Sequence, residues 1–196
     1  QQKIGDPNKQ LVTLMEITLR DLTQEGEVSP EDFLDRIDLI TSLGNYVLIT
    51  NYARHHQFTQ YISQYSKDEI VLVLGTLNLM KLLDESYYED MSGGILEAFG
   101  KLFVRGCHLY VYPQIDPESG DLLTSEDVEL SCELKYLYQY LKKTGRIVDL
   151  TDCDTSHVNV SPQEVYDMIV DNESGWEENV PESVAKLIHE KKLWRK

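Results

Sequence analysis

Hydroxyl, amide and glycine residues that could hold a phosphate occur at two points in the chain. Thr50 and Asn51 come directly after a predicted strand. Gly93 and Gly94 follow Ser92 at the predicted start of a helix. A hydroxyl at a strand end and the backbone N–H groups at a helix N-terminus can both bind anions, so we predict a phosphate site at the first pair and at the two glycines. Turn residues and a serine cap with permissive glycines are the structural alternative.

Carboxylates that could hold a magnesium ion follow the last predicted strand. Asp152 and Asp154 come shortly after Asp149, and Mg²⁺ prefers oxygen ligands of this kind. An exposed acidic loop in an acidic protein is the alternative. The adjacent residues His55 and His56 do not suggest a second metal site, because neighbours on a helix point about 100° apart. Magnesium is therefore the one cofactor that the sequence suggests.

No motif supplies a catalytic nucleophile. The sequence contains no Gly-x-Ser-x-Gly elbow, no His-Glu-x-x-His helix and no glycine-rich nucleotide-binding loop. The three cysteines, Cys107, Cys132 and Cys153, have neither the close spacing of a zinc site nor an even number for a disulfide framework. The sequence thus leaves open whether the protein is an enzyme.

Four short apolar segments predict the strands that must position these residues. They cover 46–49, 69–75, 109–112 and 147–150, and segments with helical periodicity separate them. Strands joined through helices usually run parallel. We therefore predict an α/β fold of three layers, with a mainly parallel sheet of four or more strands flanked by helices.

The ends of these strands widen the set of candidate ligand-binding residues. In an open α/β sheet, ligands bind beyond the carboxyl ends of the strands. Gly75 and Thr76 end the second strand, residues 112–114 follow the third, and residues 151–155 follow the fourth. Most such residues only form turns, so a site requires several of them to converge.

Helical periodicity and capping signals predict the remaining elements. Apolar residues at helical spacing predict a helix over 11–22, although β-branched residues weaken the pattern. Ser161 and Pro162 begin a capping box, and a last helix with a basic end follows. We predict an α/β domain over 1–160 and a helical appendage over 161–196 that packs on it.

Composition restricts the classes of function. The chain has 196 residues, 41% of them hydrophobic, with a formal charge of −16 and a pI near 4.6. Such a charge disfavours binding to nucleic acid or to an anionic membrane surface. No apolar run approaches the roughly 18 residues of a membrane span, and no signal peptide opens the chain. We predict a soluble, cytoplasmic protein, and Gln1 in place of Met suggests part of a longer one.

Tyrosine is frequent in this sequence. The chain has twelve tyrosines, and three of them, Tyr136, Tyr138 and Tyr140, lie on a helix predicted from the leucine spacing over 130–141. Positions 136 and 140 share a helical face and 138 does not, so part of this set should reach the surface. Tyrosine combines apolar area with a polar tip and is enriched in protein interfaces. The pattern therefore favours a surface that contacts protein.

The segment 46–62 resembles the second motif of haloacid-dehalogenase-type phosphohydrolases, in which an apolar strand ends in a phosphate-binding Thr or Ser. The resemblance places that role on Thr50. Those enzymes also need a nucleophilic aspartate in an Asp-x-Asp-x-Thr motif before this strand, and residues 1–44 contain none. The string DCDTS at 152–156 ends in serine and comes last, so the resemblance implies for it only the terminal metal-binding acids.

A wider resemblance covers nearly the whole chain. It is carried by LMEITL at 14–19, VLITNY at 47–52, GGILEAFG at 93–100 and LYVYP at 109–113. These strings resemble the C-terminal portion of a larger, poorly characterised family of bacterial cytosolic proteins, whose members are named inconsistently as nicotinate-nucleotide adenylyltransferase or TonB-dependent receptor. The sequence supports neither name, since it lacks a His-x-Gly-His motif and a long series of alternating strands. The resemblance implies that part of the protein precedes this chain.

Two functions follow as hypotheses. The first is an acidic α/β domain of a larger bacterial protein, non-catalytic or incomplete alone, that contacts its own N-terminal region, a second copy or another protein. The second is a magnesium-dependent, phosphohydrolase-like domain that lacks its nucleophile segment and binds a small phosphorylated ligand or nucleotide. The first explains the tyrosines and the missing nucleophile, and the second explains the polar strand ends.

Overall fold

A computed structural model describes residues 10–19, 30–116, 118–151, 158 and 160–194. The predicted α/β fold is confirmed. In chain order the strands are β1 (Leu14–Thr18), β2 (Tyr46–Thr50), β3 (Val71–Gly75), β4 (His108–Tyr112), β5 (Gln114–Ile115), β6 (Leu122–Leu123) and β7 (Ile147–Asp149). The α-helices are α1 (Pro30–Ser42), α2 (His55–Tyr65), α3 (Thr76–Leu82), α4 (Gly94–Leu102), α5 (Cys132–Lys143), α6 (Pro162–Val170) and α7 (Glu182–Lys191). Short 3₁₀ helices cover Glu85–Tyr88, Val104–Gly106 and Trp176–Asn179.

The chain divides into two compact units. Among the described residues, the central unit comprises those from Arg54 to position 158, and the flanking unit comprises those from position 10 to Ala53 and from Val160 to position 194. The division into a domain over 1–160 and an appendage over 161–196 stays a prediction.

The central unit is built on a parallel sheet in the order β3-β4-β7. Successive side chains of a strand point to opposite faces, and here Leu74, Leu109, Val111 and Ile147 point into one core. Helices α3, α4 and α5 contribute buried apolar side chains to that same core. On the opposite side of β3, Val73 is 54% exposed. An antiparallel pair, β5 with β6, follows β4.

The flanking unit contains a separate two-stranded sheet. β1 pairs in parallel with β2, with Thr18 opposite Thr50. The predicted helix over 11–22 is therefore wrong for residues 14–18. Its β-branched residues match a strand, and pairing with β2 overrides the helical spacing of the leucines. The predicted strand at 46–49 is confirmed, but it belongs to this sheet and not to the sheet of the other three.

Helices complete the flanking unit. The capping prediction for α6 is confirmed, since the Ser161 hydroxyl accepts the Glu164 N–H at 3.4 Å. Leu39 of α1, Ile169 of α6 and Ile188 of α7 meet around Trp176 in one apolar core. No helix in the described ranges combines the length and the apolarity that a bilayer crossing requires.

Candidate functional site

The hydroxyl predicted to bind phosphate already contacts a carboxylate. Thr50 ends β2, and its Oγ1 donates to Glu16 Oε1 on β1. The Tyr52 N–H donates weakly to the same hydroxyl, at 3.5 Å. Asn51 is exposed beside it. A phosphate bound here would lie against the Glu16 carboxylate, and two anions at that distance repel. The phosphate role of Thr50 and Asn51 stays a prediction.

The glycines predicted to bind phosphate donate their N–H groups within the chain. Gly93 N–H donates to Glu97 Oε2 at 2.9 Å, and Gly94 N–H donates to the Met91 carbonyl at 3.0 Å. Lys101 Nζ donates to Glu97 Oε1 at 2.6 Å. The Lys101 hydrogen bond and then the Gly93 N–H hold the pKa of Glu97 below its ordinary value. A carboxylate of the chain therefore takes the place that an anion would occupy at the start of α4.

The predicted magnesium ligands, Asp152 and Asp154, lie outside the described residues. Within the described ranges, no group of three or more His, Cys, Asp or Glu side chains is arranged to hold a metal ion. Thr50 and Asn51 belong to the flanking unit, and Gly93 and Gly94 belong to the central unit. The magnesium site, like the phosphate site, stays a prediction.

The carboxyl edge of the central sheet is filled by the chain's own side chains. Thr76 is fully buried after β3, and its hydroxyl contacts the Tyr112 and Leu123 carbonyls at 3.2 and 3.0 Å. Gln114 lies over Gly75, where an added Cβ would be 2.0 Å from Gln114 Oε1. That oxygen accepts the Leu77 N–H at 3.0 Å, at the start of α3. The crevice in which α/β folds bind ligands is closed here by a glutamine.

A lysine with three oxygen partners, which the sequence does not predict, lies beside this edge. Lys142 on α5 contacts Ser125 Oγ at 2.5 Å, Glu126 Oε1 at 2.9 Å and Asp149 Oδ2. The Tyr138 hydroxyl donates to the Ser125 carbonyl at 2.6 Å. We call these five residues the Lys142 cluster. The sequence gives no local signal for it, because residues 125, 142 and 149 come from three different elements.

The Lys142 cluster resembles a serine–lysine catalytic pair in composition only. A lysine that activates a serine must be able to lose its proton. Burial opposes the charge of Lys142, but its hydrogen bonds to Asp149 and Glu126 outweigh burial and raise its pKa. Ser125 is also almost fully buried. The arrangement therefore ties a loop, a helix and a strand together, and it does not form a nucleophile.

A second group of polar side chains surrounds His56 in the first turn of α2. Arg54 donates to both carboxylate oxygens of Asp90, at 2.6 and 3.1 Å, and its guanidinium lies 5.3 Å from the Tyr87 ring. His56 is only 5% exposed, and its ring lies 6.3 Å from the ring of Tyr88. We call these five residues the His56 cluster.

The His56 cluster holds an uncharged imidazole. Burial lowers the pKa of His56, and the positive charges of Arg54 and Lys101 lower it further, while Glu97 and Asp90 act in the opposite direction. Tyr88 beside it is also buried, which raises the pKa of its phenol. The sequence singles out His56 only as an unsuitable metal ligand, and the structure places it among the buried residues. A histidine that is almost fully buried can hold structure but cannot easily exchange protons with a substrate.

The exposed tyrosines form pairs along two helices of the central unit. On α5, Tyr136 is 77% exposed and Tyr140 is 63% exposed, while Tyr138 is only 8% exposed. This confirms that positions 136 and 140 share a face at the surface. On α2, Tyr61 and Tyr65 are also exposed, with ring centroids 5.0 Å apart.

Comparison of the chain with protein-family models, curated proteins and solved structures gave no match.

Proposed function

We propose that this chain is a non-catalytic module of a larger bacterial cytoplasmic protein and that it functions by contacting protein. The observation that carries the proposal is the pair Tyr136 and Tyr140, which are 77% and 63% exposed on one face of α5. Monomeric proteins expose single apolar residues everywhere, but large aromatic side chains are concentrated in interfaces. A second pair, on α2, repeats the feature.

The polar clusters support a non-catalytic function. Lys142 is held by oxygen partners that keep it charged, and His56 is buried. Neither offers an accessible nucleophile or base to a substrate. Cys107 and Cys132 are free thiols, which supports a reducing compartment. The resemblance to a larger bacterial family supports the origin and the expectation of further protein around this chain.

Photo-crosslinking in cells tests the proposal. The photoreactive residue p-benzoylphenylalanine replaces Tyr136, Tyr140 or Tyr65 in separate variants, and it replaces the exposed Lys67 in the control. We expect light-dependent protein adducts at one tyrosine pair or both and none at Lys67. A full set of tyrosine variants that forms no adduct with any protein, including a second copy of this chain, would overturn the proposal.

A further inference from the structure

Four exposed side chains on α5 are arranged symmetrically about one point of the helix. They are Glu133, Tyr136, Tyr140 and Lys143, and we call them the outer face of α5. At about 100° per residue, the tyrosines lie about 40° apart around the axis. Glu133 and Lys143 lie about 20° beyond them on either side. Along the axis, the tyrosine pair and the Glu133–Lys143 pair are both centred on position 138. The face therefore reads the same distances in both directions, with an acid at one end, a base at the other and the aromatic rings between them.

Such a face is complementary to itself. When two copies of α5 run antiparallel about a two-fold axis at position 138, Tyr136 of each copy lies at the same height as Tyr140 of the other. Glu133 of each copy then lies at the height of Lys143 of the other. A two-fold interface needs this relation, in which residue i contacts j and j contacts i.

The end groups are available for such a contact. Over the described part of the chain, no ion pair or hydrogen bond engages the side chain of Glu133 or Lys143. The carboxylate lies in the first turn of α5 and the ammonium in the last, so each also matches the dipole of its own helix. Pairing across an antiparallel contact adds attraction without disturbing the helix.

We propose that the outer face of α5 binds the same face of a second copy, antiparallel, to form a two-fold dimer. This inference rests on the proposed protein-contact function and names the partner. The tyrosine rings supply the apolar contact, and the two Glu133–Lys143 pairs set the direction and register. Four tyrosines bury at most about 1,000 Å², less than the roughly 1,200 Å² at the lower limit of stable interfaces. The dimer is therefore weak and depends on concentration.

Charge reversal tests the register. Sedimentation equilibrium over a range of protein concentrations would measure the dimerisation constant of the wild type, Glu133→Lys, Lys143→Glu and the double variant. Each single reversal turns two attractive pairs into two repulsive ones, and we expect a loss of about tenfold, equivalent to about 1.4 kcal/mol. The double variant restores opposite charges at both ends and should dimerise like the wild type.

For Glu133→Lys, the overall charge of the chain predicts the opposite change in the dimerisation constant. The protein carries a formal charge of −16, so general repulsion between copies decreases when Glu133 becomes Lys. A dimer governed by net charge would become tighter in Glu133→Lys. Tighter dimerisation of that variant, or a double variant as weak as the single ones, would overturn the proposed contact.

The second tyrosine pair provides a matched control. Tyr140→Ala should abolish measurable dimerisation, whereas Tyr65→Ala, which removes an even more exposed ring from α2, should leave it unchanged. Circular dichroism would verify that both variants stay folded. A wild-type protein that stays monomeric at millimolar concentration would overturn the dimer. In that case crosslinking of Tyr136 or Tyr140 to a different protein would still support the proposed function.

Discussion

Two polar clusters of the central unit hold ionisable groups in opposite charge states. Lys142 keeps its charge because Asp149 and Glu126 contact it directly. The cations near His56 lower its pKa and the carboxylates near it raise its pKa. Burial is the largest contribution, and it favours the neutral ring. The first cluster stabilises a partly buried charge with counter-charges, and the second removes the charge by burial. The two clusters should therefore respond differently to mutation, pH and salt.

Removing the Lys142 ammonium should have the largest effect. Lys142→Met keeps the apolar stem but leaves Asp149 partly buried without its counter-charge. We expect the free energy of unfolding to fall by about 2–3 kcal/mol. Urea unfolding measures the loss. Lys135→Met, at an exposed position of the same helix outside the outer face of α5, is the matched control and should change stability by less than about 0.5 kcal/mol. Equal losses in the two variants would show that the cluster contributes nothing beyond a helical lysine.

The next largest loss of stability should follow from disturbing Gln114, which fills the carboxyl edge of the central sheet. In Gly75→Ala the new Cβ would overlap Gln114, whose side chain must turn away and release the Leu77 N–H. A lost hydrogen bond of this kind costs about 1–2 kcal/mol. Gly100→Ala, where an added Cβ meets nothing within 4 Å, should be neutral or stabilising.

A double variant separates the overlap from other causes. Gly75→Ala combined with Gln114→Ala should be no less stable than Gln114→Ala alone, because the overlapping side chain is gone. If the double variant loses the full sum of both single effects, the two residues do not interact and the edge is not closed by Gln114.

These contacts mark the limit of what the sequence predicts. The strands at 46–50, 71–75, 108–112 and 147–149 follow from local apolar runs, and the face of the tyrosines on α5 follows from helical spacing. The interaction between Gln114 and Gly75 joins two strand ends, and nothing near either residue indicates it. Non-local contacts of this kind depend on how the helices and strands pack. Local patterns in a single sequence do not predict that packing.

The same limit explains the N-terminal error. Residues 14–18 carry leucines at helical spacing together with β-branched residues, so their local signals conflict. Their state is decided by β2, which lies some thirty residues further along the chain. Thr50 shows the consequence for a site prediction. The sequence places it at a strand end, but only the pairing of β1 with β2 brings Glu16 to its hydroxyl.

The neutral His56 should make stability depend on pH. Its pKa in the folded protein lies below the value of about 6.5 for an unfolded chain. The unfolded state therefore binds more protons just below that pH, and stability falls as the pH is lowered from 6.5 towards the folded pKa. The slope is at most about 1.4 kcal/mol per pH unit. Urea unfolding at pH 7.5, 6.5 and 5.5 measures it.

Substitution of each neighbouring histidine assigns the slope. His56→Gln should be less stable at pH 7.5 and should lose the pH dependence between 6.5 and 5.5. His55→Gln changes the exposed neighbour and should keep the dependence. A slope that survives in His56→Gln would show that the buried ring is not its source. Asp90 and Glu97, whose pKa values are lowered, contribute only at lower pH, where their carboxylates become protonated.

Salt should have the smallest effect on stability. The flanking unit contains an exposed lysine–carboxylate pair that can be compared with the Lys142 cluster. Lys191 of α7 pairs with Asp38 of α1, with both side chains more than a third exposed. An exposed pair of this kind contributes about 0–1 kcal/mol and weakens with salt. The formal charge of −16 acts in the other direction, because self-repulsion destabilises the folded chain and salt relieves it.

Repulsion should dominate, because each exposed ion pair contributes little and the charge of the whole chain opposes them together. The Debye length falls from about 30 Å at 0.01 M to about 10 Å at 0.1 M, which covers most distances between surface charges. We therefore expect the melting temperature of the wild type to rise with sodium chloride over this range. Lys191→Met makes the charge more negative and removes the attractive pair, so its melting temperature should start lower and rise more steeply. A melting temperature that falls with salt in the wild type and stays flat in Lys191→Met would mean that the attraction between α7 and α1 outweighs self-repulsion.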